Sequence, residues 1–214
     1  GGKVFKLEDC TPNIIPLLPL LLKAKACIIK LSPMADIHAV LKALGGEEKW
    51  DVHIIAIHNE VKELLITTGN GKRTAIDLHS EEQITFTTQV ENTAIPRYAQ
   101  QIEQYLYEPN SSLLKAGAYK IICEHFDVQK LAPNTHLYTS NQYIADFPGR
   151  VWQVIECNLK TIPKGTRANV VTRNYPIKAE QLQKKWKIID GGEQYIIGTT
   201  LANKTLLLRA IILK

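Results

Sequence analysis

Residues 26–57 constrain the fold more than any other stretch. "ACIIKL" (26–31) is a continuous apolar run, the pattern of a strand buried on both faces. "SPMADIHAVLKAL" follows, with Ser32 placed to cap a helix and Pro33 at its first position. Ile37, Val40, Leu41 and Leu44 then fall at i, i+3, i+4 and i+7, a single helical stripe. Gly45-Gly46 ends the helix, and "DVHIIAI" (51–57) reads as a second buried strand. Strand, helix and strand joined by short loops argue for a parallel crossover unit in an α/β sheet.

The rest of the chain divides in two. "NEVKELLITT" fits both a helix and a strand, while "TAIDLH" and "ITFTTQ" read as strands. "TGNGKR" (68–73) contains GNGK, but the spacing of a phosphate-binding loop is missing, so the glycines mark a turn. The middle section carries "YLYEPNSSLLKAGAYK" (105–120). Pro109 stops the strand, and Asn110 or Ser111 caps a helix expected to run to about His125. Its apolar face is Leu114, Ala118, Ile121 and Ile122, and Lys115 and Tyr119 share another face. "DFPGR" then marks a boundary. Beyond it come strands at 150–157 and 167–173 and a helix over "KAEQLQKKWK", which buries Ala179, Leu182 and Trp186. A hairpin across Ala202-Asn203 completes the order β-β-α-β-β.

Composition narrows the class. A chain of 214 residues with 45% hydrophobic and 22% charged residues suits a globular protein with a packed core. The longest apolar run, Ile14–Leu22, is broken by Pro16 and Pro19 and is too short to span a bilayer. The start has no apolar core of a signal peptide. Cys10, Cys27, Cys123 and Cys157 are scattered, which reads as reduced thiols of a cytoplasmic protein rather than disulfides or a zinc site. The chain begins with Gly and its one Met is Met34, so it is expected to be a piece of something longer.

Charge is uneven. Residues 151–214 hold 11 Lys and Arg against 4 Asp and Glu, a net of +7, on a chain whose net charge is +5. A basic C-terminal segment on a nearly neutral body fits either an anionic partner, nucleic acid first, or a solvated lysine-rich surface. The basic candidates are Lys178, Lys184, Lys185 and Lys187 on the helix, with Arg167 and Arg173 on a strand and Tyr175 able to stack. No catalytic constellation stands out among the six histidines. HExxH is absent, and His53 and His58, five apart on one strand, face opposite ways, so no metal site is expected.

"IIKLSPMADI", "YLYEPNSSLLKAGAYK", "HLYTSN", "DFPGR" and "TRNYPI", taken in order, resemble one family. It is the bacterial group of class I S-adenosylmethionine-dependent methyltransferases with a ferredoxin-like insert and a C-terminal THUMP-like domain. The resemblance implies an α/β fold: the C-terminal half of a Rossmann-like methyltransferase sheet (1–88), then two small α+β domains. These would be a ferredoxin-like domain (89–148) and a THUMP-like domain (149–214). "ACIIKL" would be the fifth strand, "DVHIIAI" the sixth, and one of the next strands the antiparallel seventh. The Gly-rich cofactor loop and the Asp-Pro-Ala-Arg motif would lie upstream, together with any catalytic residues. This chain alone is therefore not expected to bind S-adenosylmethionine.

"YEPN" does not match the loop of amino-methylating enzymes, which runs Asn or Asp, two prolines, then an aromatic. Two readings of the turn stand: a conformational stop and helix cap, with Pro109 restricting Glu108 and Asn110 capping, or a functional face in which Glu108, Asn110, Lys115 and Tyr119 are presented to RNA or to the methyltransferase cleft. Ligands in such sheets bind beyond the carboxyl ends of the strands, which makes Lys30, Ser32, Asp36, Asn59 and Glu60 candidates for the edge of a substrate cleft; the alternative is that Ser32 and Asp36 only cap a helix. The implied function is the C-terminal portion of an RNA methyltransferase whose basic THUMP-like domain positions tRNA or rRNA. The second reading is a non-catalytic RNA-binding or protein-docking module. Loss of a neighbouring strand would leave 26–31 as an apolar edge, covered by self-association or by the N-terminal segment.

Overall fold

The computed structural model describes residues 6–214. They form two compact units. The first runs to Thr93 and takes in Ser111–Ala118; the second comprises Ala94–Asn110 and Tyr119–Lys214. The first five residues, half of the N-terminal segment expected to cover the strand edge, lie outside the described residues.

The first unit contains α1 (Leu18–Leu21), β1 (Ile28–Leu31), α2 (Ile37–Ala43), β2 (Trp50–Ile57), β3 (Glu60–Thr68), β4 (Lys72–Asp77), β5 (Glu82–Thr87), α3 (Thr88–Thr93) and α4 (Ser111–Ala116). Its sheet has the order β1-β3-β2-β4-β5. β3 runs antiparallel to both β1 and β2, so β1 and β2 are parallel but not adjacent. The crossover inferred from sequence is present, with a strand slotted into it. β4 pairs parallel with β2.

Three local expectations change. The strands are not buried on both faces. β1 alternates, with Ile29 and Leu31 inside and Ile28 70% exposed. β2 buries Trp50, Val52, Ile54 and Ala56 at period two. Helix α2 starts at Ile37, not Pro33. Its cap is Asp36, whose Oδ1 accepts from the Ala39 N–H at 2.8 Å, while Ser32 Oγ accepts from the Met34 N–H at 3.2 Å in the preceding turn. The turn at 69–71 closes on the Asp51 carboxylate, which accepts from the Asn70 and Lys72 N–H groups at 2.8 and 2.9 Å. A carboxylate at that place would repel a phosphate.

The helix expected from 111 to 125 is two helices. Gly117, at φ +81°, ends α4. The Ala118 N–H reaches Leu113 O at 3.1 Å and the Gly117 N–H reaches Leu114 O at 3.3 Å, a Schellman pair. α4 packs on β2, β3 and β4 and buries Ser112, Leu113 and Ala116 rather than Leu114.

The second unit contains β6 (Tyr105–Pro109), α5 (Ile122–His125), β7 (Gln129–Ala132), β8 (Thr135–Ser140), β9 (Gly149–Glu156), β10 (Asn169–Arg173), α6 (Ala179–Trp186), β11 (Gln194–Leu201) and β12 (Lys204–Ile212). One sheet, β10-β11-β12-β9-β6-β8-β7, takes in all seven strands. It curls until its ends meet. The Ala202 N–H, in the β11–β12 turn, donates to Leu131 O of β7 at 2.9 Å, and Thr135 Oγ1 of β8 donates to Thr200 O of β11 at 3.1 Å. Leu106, Leu131, Leu137, Trp152, Ile197 and Leu208 fill the concave side. Ile196, Leu207 and Ala168 form a second cluster with Leu182 of α6, against which Trp186 and Tyr175 are partly buried.

Candidate functional site

In the first unit, the carboxyl ends of the parallel strands β1, β2 and β4 share one edge of the sheet. The sequence reading put its cleft candidates there, and the structure gives most of them a local task. Asp36 caps α2. Lys30 is exposed and pairs with Glu63 at 3.0 Å; Glu60 pairs with Lys62 at 2.6 Å. His58 and Asn59 form the two-residue β2–β3 turn with φ of 52° and 60°, the left-handed pair that such hairpins require. The Asn59 N–H donates to Asp77 Oδ2 at 2.9 Å, and Asn59 Oδ1 accepts from the Ser111 N–H at 2.6 Å. Lys115 Nζ donates to Ala35 O at 2.8 Å, in the β1–α2 loop that also holds Ser32 and Asp36.

The sequence reading missed two residues at this edge. Asp77 is 4% exposed and holds the Asn59 and His79 N–H groups. The His79 ring lies 3.8 Å from that of His58. Among the described residues no group of three or more His, Cys, Asp or Glu could hold a metal.

In the second unit, the four residues expected to face RNA together from "YEPN" do not act as a set. Glu108 and Asn110 are each 4% exposed, and their side chains cannot present a surface. Leu106 and Glu108 are two apart on β6, so Glu108 points to the same concave side as the core. There it meets two arginines. Its Oε1 accepts from Arg173 Nε, and Arg150 Nη1 lies 3.5 Å from its Oε2. Arg150 and Arg173 keep 45% and 41% of their side-chain surface exposed. The Asn110 N–H donates to Pro148 O at 2.9 Å. Tyr119 stacks on His136 with ring centroids 3.9 Å apart. Lys115 belongs to the first unit.

Gly149, opposite Pro109, permits this arrangement. A Cβ there would come 2.1 Å from Glu108 O. Arg150 was missed because one basic residue after Pro-Gly carries no signal of its own; its place opposite Glu108 is set by pairing.

The basic residues of the last section are on the surface. Arg167, Lys178, Lys184, Lys185 and Lys187 are exposed. Lys187 ends α6 at φ 52°, and Lys185 Nζ lies 5.7 Å from the Trp186 ring centre. Tyr175 is half-buried against Gly198, where a Cβ would come 2.9 Å from the ring; one of its faces is therefore taken. "HLYTSN" contributes Thr139, Ser140 and Asn141 to a pocket of about 170 Å³ that also exposes Glu103 and Asp127. Two acids suit an anionic ligand poorly. Burial pushes the Cys123 thiol pKa up, away from a reactive thiolate. All four cysteines are free.

Comparison with known proteins then bears on the basic section. Residues 149–212 match the family model of a THUMP domain-like region. Residues 105–148 match a ferredoxin-like domain model. The single seven-stranded sheet therefore runs through both: β6–β8 belong to the ferredoxin-like match and β9–β12 to the THUMP-like match. No curated protein matches the chain. A crystal structure described as "putative methyltransferase from Porphyromonas gingivalis W83" is similar at a TM-score of 0.87 and 33% identity. The likeness covers 99% of this chain and 57% of that one, so the chain spans little more than half of the Porphyromonas protein. Among the described residues, no helix is long and apolar enough to cross a membrane.

Proposed function

We propose that this chain is the C-terminal portion of an S-adenosylmethionine-dependent RNA methyltransferase. The carrying observation is the likeness to the Porphyromonas protein over 99% of this chain, together with the THUMP-like match on the segment of net charge +7. In this reading the second unit holds the RNA and the first unit forms one side of the methyltransferase sheet. The topology supports it. β3 is antiparallel between two parallel strands, as the resemblance requires of its seventh strand. Among the described residues β1 is an edge strand, and Ile28 on it is 70% exposed. Such an edge suits a sheet that continues into further strands.

The residues present do not fit the cofactor. Among the described residues, β1 leads into Ser32-Pro33 and a helix capped by Asp36, and β2 ends in a hairpin turn. Neither is the glycine-rich strand-to-helix loop that holds a nucleotide. The cofactor is therefore assigned to the full-length protein, and no step of the reaction is drawn through residues 6–214. Calorimetry with S-adenosylmethionine should give no stoichiometric micromolar signal for this chain. The full-length product should transfer labelled methyl groups from S-adenosylmethionine to a bulk RNA fraction. RNA binding without transfer would leave a docking module instead.

A further inference from the structure

We infer that Glu108 holds Arg150 and Arg173 as a clamp for a single RNA phosphodiester. The inference rests on the RNA reading above and names the contact within it.

The sheet brings these groups together from distant parts of the chain. Glu108 lies on β6, Arg150 opposite it on β9, and Arg173 on β10 at the far end of the strand order. The curl of the sheet returns Arg173 to Glu108. One buried carboxylate thus takes two guanidinium groups, one on each oxygen. The trio carries a net charge of +1, and both guanidinium groups stay more than two-fifths exposed. A phosphodiester carries −1 and presents two free oxygens to such planar donors.

Arg173 Nη1 donates to Thr172 O at 3.0 Å, which with its Nε on Glu108 fixes the guanidinium plane and leaves Nη2 for a ligand. Glu108 is a positioning residue here: it fixes the two forks and touches no RNA.

The test is binding of bulk tRNA to the chain at several salt concentrations, with the unfolding midpoint of each variant measured alongside. Glu108→Gln raises the net charge by one. A merely basic surface then binds RNA as well or more tightly, whereas a clamp that has lost its anchor binds about tenfold more weakly. Arg150→Ala and Arg173→Ala should each flatten the log–log salt slope by about one unit. Glu108→Gln binding as tightly as the parent, or an unchanged salt slope for both arginine variants, overturns the clamp and leaves the RNA reading standing. Displacement of RNA by micromolar inorganic phosphate reassigns the site to a free anion and also overturns it. A parent chain that fails to bind tRNA at low salt overturns both readings.

Discussion

Asn59 Oδ1 accepts the backbone N–H of Ser111, 52 residues further along, at 2.6 Å. Ser111 opens α4, the short helix that packs on β2, β3 and β4, so a hairpin turn of the first unit fastens the first residue of its inserted helix. Asn59 serves twice, because its φ of 60° also fits the turn. Asn59→Ala should cost about 2 kcal/mol, from a lost hydrogen bond and a strained left-handed residue. Asn59→Gly keeps the turn and should cost about half as much. Denaturant unfolding measures both: equal values would show that the left-handed strain is immaterial, and an Asn59→Gly variant as stable as the parent would show that the Ser111 contact is.

Much of the fold was legible in the sequence, for a physical reason. Apolar spacing reports which face an element buries, so α2, α6, β2 and the β11–β12 hairpin could be read locally. Pairing is not local. Nothing in "NEVKELLITT" says that β3 slots between β1 and β2. Gly117 was visible inside the expected helix, but a glycine declares a stop only when its φ is known. Glu108 is the clearest misreading. An acid before Pro looks like an exposed turn, yet Leu106 two residues earlier already placed it on the inner side of β6, and its partner Arg173 is 65 residues away. The exposed lysines of α6 were legible because charge on the polar face of a helix needs no tertiary information.

His136 gives the second unit a pH dependence. Burial, and then the ammonium of Lys130, lowers its pKa from 6.5 to about 4. Lys130 Nζ lies 3.2 Å from His136 Nδ1, and Tyr119 stacks on the ring. Between those pH values the unfolded chain binds a proton that the folded chain does not. The contribution of this group is therefore full above about pH 6.5 and is lost as the pH falls towards 4. His136→Gln should flatten the stability profile over that window. An unchanged profile, or a ring that titrates near 6.5 by NMR, would refute this.

Gly149 should tolerate no side chain. Its φ is +150°, and an added Cβ would meet Glu108 O at 2.1 Å and Asn110 N at 2.8 Å, both backbone atoms. Neither atom can move without breaking the β6–β9 pairing at Pro109. Gly149→Ala should destabilise the second unit by about 3 kcal/mol or more. The neighbouring Arg150→Ala removes only a half-exposed side chain and should change stability by less than about 1 kcal/mol. Thermal unfolding of the two variants side by side separates them, and similar midpoints would contradict the tight approach of the strands.

The β1 edge predicts the behaviour of the chain in isolation. Among the described residues β1 ends its sheet with no strand beside its outer backbone groups, and Ile28 is 70% exposed. Edges of this kind pair with other chains. Self-association should appear in light scattering as a mass that rises with concentration, and Ile28→Lys should suppress it by placing a charge on the edge. A monomer at every concentration would mean that the edge is already protected.

The exposed lysines of α6 make the last prediction, one that does not involve the arginines. Lys184 and Lys185 occupy its final turn, in the THUMP-like segment. Each phosphate neutralised by a lysine releases condensed counterions, so affinity falls linearly with salt on a log–log plot. Lysine contributes charge without a fixed fork, so its loss should weaken binding to every RNA alike. Lys184→Ala/Lys185→Ala should therefore flatten the slope by about two units and leave any preference among RNAs unchanged. Bulk tRNA and a single-stranded homopolymer, titrated at several salt concentrations, make the comparison. An unchanged slope for both would mean that these lysines only solvate the helix, and the phosphate contacts would have to lie elsewhere on the unit.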